Sequence, residues 1–257
     1  MDFAKLIGRI APISALVAAT ALTGCGDMDM SFNGADGVPL SELDLSGEAP
    51  NGVVLGGSDA VVVTVGDEFT VEVDGSVAAI ERLRFALEDG ALAISRENGS
   101  WDDDEIATVL VTMPAPSSLI VGGSGSIMTN GLADDADVIL GGSGKFTASG
   151  IETSALSINI GGSGTAEVDG TVSRLNINIG GSGTADMPNL TVERADVNIG
   201  GSGDVAFASN GTVEANIGGS GTVRVRGSAT CTLNSFGSGE LICEDVVADE
   251  ATEAEDA

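Results

Sequence analysis

Residues 156–168 read LSINIGGSGTAEV, and two later stretches, 175–187 and 195–207, read LNINIGGSGTADM and ADVNIGGSGDVAF. In the first, Leu156, Ile158 and Ile160 alternate with Ser157 and Asn159 ahead of a glycine-rich corner. Beyond the corner, Ala166 and Val168 alternate with Thr165 and Glu167. Alternation with a period of two gives a strand one apolar and one polar face. Each stretch therefore predicts strand, corner, strand.

The corner recurs along the chain. Gly-Gly-Ser-Gly ends at Gly125, Gly144, Gly164, Gly183, Gly203 and Gly221, and a seventh copy, Phe236-Gly237-Ser238-Gly239, closes the series. Repeats every 18 to 20 residues signal a solenoid, in which each unit buries its apolar face only against its neighbours. Like strands of successive repeats stack in parallel about 4.8 Å apart, so seven coils predict a rod on the order of 30 Å long. The fold class is all-β, a single-stranded parallel β-helix with about 19 residues per coil. The register points Ile158, Ile160, Ile177, Ile179, Val197, Ile199 and Ile217 into one core. It stacks Ser124 through Ser238 in one column and Asn159, Asn178, Asn198, Asn216 and Asn234 in another, where amides can bond from coil to coil. The spacing accounts for both columns without a ligand.

Residues 50–115 follow the pattern loosely. Val53 and Leu55, a degenerate Gly56-Gly57-Ser58-Asp59 corner, then Val61 and Val63 keep the alternation. Further strands are expected at 69–73, 83–87, 91–95 and 109–113, with a first strand near 40–45. Terminal repeats of a solenoid are atypical because they cap an open sheet edge. One continuous domain, residues 40–243, is expected.

Composition narrows the chemistry. Of 257 residues 42% are hydrophobic but only 3% aromatic, so the interior is narrow and filled by aliphatic side chains. Histidine is absent, which excludes Ser-His-Asp and Cys-His nucleophilic sites and His-ligated zinc or haem. Ten basic against 39 acidic residues give a net charge of −29. No nucleic acid is expected as a partner, since its phosphates need a basic surface.

At the N-terminus Lys5 and Arg9 precede an apolar stretch at 10–22 that is too short to span a bilayer and has the length of a signal-peptide core. It ends in Leu22-Thr23-Gly24-Cys25, which resembles the lipobox of bacterial lipoproteins. That resemblance implies removal of residues 1–24 and a diacylglycerol on Cys25, and so a membrane as partner. Gly26, where an Asp would favour inner-membrane retention, points to the outer membrane. Residues 25–39 read as a flexible tether. Residues 244–257 carry seven acids and no base and read as a disordered acidic tail.

The recurring Gly-Ser-Gly corner, preceded by Asn-Ile-Gly, resembles the auto-transporter adhesin head domain, the GIN domain, over roughly residues 40 to 243. The resemblance implies a right-handed parallel β-helix in an exported bacterial protein. It carries no catalytic residues over, and no membrane barrel follows; lipid on Cys25 would take the place of that anchor.

The repeat matches no catalytic motif. The calcium-binding nonapeptide needs Asp two residues after the last corner Gly, where this chain has Ile127, Phe146, Ala166, Ala185, Val205 and Val223. Gly-x-Ser-x-Gly and the phosphate loop fail on spacing. Two acidic clusters remain, Asp102-Asp103-Asp104-Glu105 beside the single Trp101, and Asp134-Asp135-Asp137. Paired carboxylates there could hold calcium or act on a polysaccharide; solvated loops are the simpler reading. No catalytic residue, metal or cofactor is assigned. Cys231 and Cys243 fall at inward positions of the final coil. In an oxidising periplasm they are natural disulfide partners, against the alternative of two small unpaired hydrophobes. The expected protein is a non-catalytic, lipid-anchored envelope component whose acidic β-helix serves structural or adhesive interaction with an envelope protein or polysaccharide. The competing class is a calcium-dependent polysaccharide-acting enzyme.

Overall fold

A computed structural model describes residues 37–97 and 106–244. The signal segment, Cys25, the tether before Gly37, Trp101 with the 102–105 cluster, and the tail beyond Glu244 lie outside the described residues. The elements in chain order are a 3-10 turn (Leu40–Glu42), β1 (Gly52–Gly57), β2 (Ala60–Val65), β3 (Thr70–Asp74), α1 (Val77–Arg82), β4 (Leu83–Glu88), β5 (Ala91–Arg96) and β6 (Thr108–Met113). There follow β7 (Ser118–Gly123), β8 (Ser126–Thr129), β9 (Asp135–Leu140), β10 (Lys145–Ile160), β11 (Thr165–Gly181), β12 (Thr184–Gly201) and β13 (Asp204–Gly219). The last three are β14 (Thr222–Arg226), β15 (Thr230–Gly237) and β16 (Glu240–Glu244).

Two walls of stacked strands enclose the core. The first runs β4-β5-β1-β7-β9, then through the second halves of β10 to β13, and ends on β15. The second runs β3-β6-β2-β8, then through the first halves of β10 to β13, and ends on β14 and β16. All neighbours are parallel except β3 on β6 and β4 on β5. This is the parallel β-solenoid of about seven turns that the repeat requires.

The alternation fixes what lies between the walls. Leu156, Ile158, Ile160, Leu175, Ile177, Ile179, Val197, Ile199 and Ile217 are all buried in one continuous cluster. Coil-length differences are absorbed away from the corner, where the strand register shifts between Ala148 and Ile151, Ala166 and Gly170, and Asp186 and Thr191. Corners therefore stay superimposed while the opposite connections vary.

The N-terminal end departs from simple stacking. The coil of β5 and β6 is inserted beneath the coil of β1 and β2, and β7–β8 stacks on the other side of it. From β2 the chain descends through antiparallel β3, crosses by α1 to antiparallel β4, and only then enters β5. Ser76 caps α1, its hydroxyl accepting from Ala79 N–H. Ala79, Leu83 and Phe85 join the core cluster. Residues 40–45, expected as a strand, form the 3-10 turn and irregular chain instead. Their leucines 40, 43 and 45 still pack on the core. The hydrophobic pattern there reports burial; pairing with the edge of β4 is limited to an isolated bridge from Val38 to Phe85.

Candidate binding face

The four corner positions have different physical causes. The second glycine lies in the left-handed region in every repeat, with φ of +143° at Gly123, +147° at Gly162 and +148° at Gly201. A Cβ at Gly201 would sit 2.2 Å from the carbonyl oxygen of Gly181 in the coil below. The serine N–H then donates to the second glycine one coil back, as Ser182 does to Gly162 at 2.9 Å. The fourth glycine rests on the coil beneath: a Cβ at Gly183 would lie 2.4 Å from Ile160 Cγ2. Stacking alone demands both.

The first glycine is different. A Cβ at Gly141, Gly161, Gly180, Gly200 or Gly218 would meet nothing nearer than 3.8 Å, and none of the five has φ in the left-handed region. These positions face outward from the first wall. In the last coil the same position holds Phe236, paired in register with Gly218 and 88% exposed.

Beside this glycine column runs the asparagine ladder. Asn178 Nδ2 donates to Asn159 Oδ1 at 2.9 Å, Asn198 to Asn178 at 3.1 Å, Asn216 to Asn198 at 3.0 Å and Asn234 to Asn216 at 3.0 Å. The expected column is thus one unbroken chain of amide bonds. Together Asn178, Asn198, Asn216 and Asn234 with the bare glycines Gly180, Gly200 and Gly218 make a shallow groove of ≈ 430 Å³ with Phe236 at one end. Its outer rim is the next outward column, Ser157, Asn176, Asp196, Glu214 and Thr232.

Cys231 and Cys243 form the disulfide, with Cα atoms 6.8 Å apart. They stack on Val213 and Val225, the inward register. Cys231 is half-buried and Cys243 exposed, because among the described residues no coil covers the last one. The expected burial of both thiols is therefore only half met. Asp134, Asp135 and Asp137 are exposed. Asp134 Oδ1 instead accepts from the N–H and hydroxyl of Ser154, at 3.0 and 2.7 Å. Among the described residues no three carboxylates or cysteines converge to hold a metal ion.

Two features had no sequence expectation. Asp59, 1% exposed, accepts from Arg96 Nε at 2.7 Å and Nη2 at 2.6 Å, and from Ala107 N–H at 2.9 Å. It occupies the fourth corner position of the first repeat, where the later repeats have glycine. The other is Phe236. Its substitution for glycine was visible in the repeat, but only the geometry shows that the position is free.

A β-solenoid of stacked parallel coils bearing one repeated polar face defines a repeat protein. The chain belongs to the family described as "Putative auto-transporter adhesin, head GIN domain", whose model matches residues 49–229. The fold is similar to that of a putative adhesin of Bacteroides fragilis, at 19% identity and a TM-score of 0.69 over 76% of this chain and 93% of that one. It is also similar to a putative lipid binding protein of Parabacteroides distasonis, at 20% identity and 0.59 over 76% and 92%. A putative adhesin of Parabacteroides merdae follows at 15% identity and 0.56 over 77% and 92%. No curated protein matches the chain.

Proposed function

We propose that this is a non-catalytic, lipid-anchored component of the bacterial envelope, adhesive in function, that uses the asparagine–glycine face as its contact surface. Residues 1–24 are removed, Cys25 carries the lipid, residues 25–39 tether it, and residues 40–243 form the presenting rod ahead of the acidic tail at 244–257. The outer membrane is its site. The observation that carries the reading is the ladder itself: five asparagines locked by four amide bonds beside a column that the fold leaves empty. A preordered polar row loses little conformational entropy when it is covered, which favours contact. Family membership supports the adhesive role, and the absence of histidine removes the commonest nucleophilic machinery. The net charge of −29 gives the rod an acidic surface that repels anionic partners and favours neutral or basic ones.

Two assays test this. Mass spectrometry of the mature N-terminus should find diacylglyceryl on Cys25, and Cys25→Ser should leave an unprocessed or soluble form. Beads carrying the mature chain should adhere to bacterial surfaces above albumin-coated controls. An unmodified mature protein beginning elsewhere would remove the anchor, and beads no stickier than the controls would remove the adhesive role. Calcium-dependent polysaccharide release, lost in the Asp134/Asp135/Asp137→Ala triple variant, would establish the enzymatic alternative.

A further inference from the structure

We infer that the groove along the asparagine ladder binds a neutral, linear polysaccharide chain lying parallel to the rod axis. The inference rests on the adhesive reading and names its ligand class.

Chemistry points the same way at three places. First, the ladder uses only part of each amide. An asparagine side chain offers two N–H donors and two acceptor lone pairs. In the ladder Asn178, Asn198 and Asn216 each spend one donor and one acceptor on their neighbours. A second donor and a second acceptor remain on each, repeated at the coil spacing of about 4.8 Å. A sugar hydroxyl is likewise both donor and acceptor, and one pyranose ring has a comparable length.

Second, the floor of the groove is backbone. Glycine inside a strand is destabilising relative to alanine, and nothing in the stack requires it at Gly180, Gly200 and Gly218, the glycines that line the groove. A glycine strip of this kind marks close approach by another group. Here the strip lies beside polar side chains with unused valences, so a flat hydroxylated chain fits it better than an apolar one.

Third, Phe236 stands at the end of the strip, on the column where the preceding coils have glycine. Its ring, 88% exposed, offers the apolar face on which the C–H side of a pyranose packs. The ring is also the large apolar side chain of the groove, which otherwise lacks the buried anchors that protein partners use.

Charge then selects among polysaccharides. Asp196 and Glu214 rim the groove on successive coils, and the chain as a whole is strongly acidic. A polyuronate would be repelled, whereas a neutral chain pays no such cost and can donate hydroxyls to the rim carboxylates.

Affinity electrophoresis of the mature chain tests the inference. The gels contain hydroxyethylcellulose, lichenan or galactomannan, with polygalacturonate and gelatin as the anionic and proteinaceous comparisons. Retardation by at least one neutral polysaccharide is expected, at least tenfold weaker in Phe236→Ala and in Gly200→Lys, which fills the strip. Both variants should keep the wild-type melting temperature, since neither side chain enters the core. No retardation in any of the three neutral gels would overturn the inference, as would equal retardation of wild type and variants. Retardation by polygalacturonate or gelatin in place of the neutral chains would overturn it too. If beads adhere to cells while the neutral gels show nothing, the ligand class fails and the adhesive reading stands; if beads also fail to adhere, both fall.

Discussion

The two ends of the rod are closed in different ways. At the N-terminal end, protein structure does the work: β3 and β4 turn antiparallel, α1 crosses between the walls, and Asp59 grips Arg96 and Ala107 from the corner above. At the C-terminal end a single disulfide joins β15 to β16, and most of β15 is exposed. A parallel stack has unpaired backbone at both terminal coils and must blunt each one. One end does so by reversing strand direction and crossing the end of the stack with α1. The other keeps its strands parallel and pins them covalently. The N-terminal closure depends on buried electrostatics and the C-terminal closure on redox state, so different perturbations should open them.

The largest loss is expected where neither end is involved. Ile177→Asp places a charge in the dry centre of the stack and should cost more than about 4–5 kcal/mol, the range reserved for buried unpaired charges. Chemical denaturation measures it; wild-type stability would mean that the inward register is wrong. At the N-terminal end, Asp59→Ala removes the acceptor of three hydrogen bonds. Breaking a buried ion pair by deleting one partner costs about 3–5 kcal/mol, and hydrogen exchange should show β5 and β6 opening first. At the C-terminal end, reducing the Cys231–Cys243 bridge, which spans 12 residues, should cost roughly 3 kcal/mol by loop closure. Exchange should then rise in β15 and β16 and stay unchanged in β4 and β5; equal loosening of both ends would erase the contrast. The smallest effect is Ser76→Ala. It removes the hydroxyl that accepts from Ala79 N–H and should lower stability by about 1 kcal/mol, with protection lost in α1 alone.

How much of this was legible in the sequence depends on what each residue repeats. From Ser118 onward, spacing fixes register: once Gly164 and Gly183 superimpose, Ile158 must stack on Ile177 and Asn159 on Asn178, as they do. The disulfide was legible for the same reason, since Cys231 and Cys243 inherit the inward places of Val213 and Val225. The N-terminal third was legible as strands but not as topology. Strands at 69–73, 83–87, 91–95 and 109–113 fall within a residue of those observed. Alternation does not encode strand direction or stacking order, so neither the antiparallel pairs nor the insertion of β5–β6 beneath β1–β2 could be read. Residues 77–82 are too short a helix to show a periodicity, so α1 is not legible in the sequence. Leu40, Leu43 and Leu45 pack on the core from a 3-10 turn and irregular chain rather than from the expected strand.

The candidate face was half visible. The asparagine column follows from spacing, and the sequence gives no reason to separate it from ordinary corner geometry. What separates it is the difference between two adjacent glycines. The repeat treats them alike, but their surroundings do not: one is held at positive φ against the coil below, and the other looks out over open space. Phe236 is the sequence's own demonstration, since the last coil discards the first glycine and keeps Gly237, at φ +138°, and Gly239.

The division of the corner into a structural glycine and a surface glycine is the foundation for the fold and the binding face together, and a matched pair of variants tests it. Thermal and chemical unfolding of Gly200→Ala and Gly201→Ala should give opposite signs. Gly200→Ala, with no contact nearer than 3.9 Å, should leave stability unchanged or raise it by up to about 1 kcal/mol through the unfolded chain. Gly201→Ala, at φ +148° and 2.2 Å from the Gly181 carbonyl oxygen, should lose at least about 2 kcal/mol to backbone strain and displacement of the coil below. Equal losses at the two positions would contradict the account, because the first glycine would then be structural and the face would have no column free for a ligand.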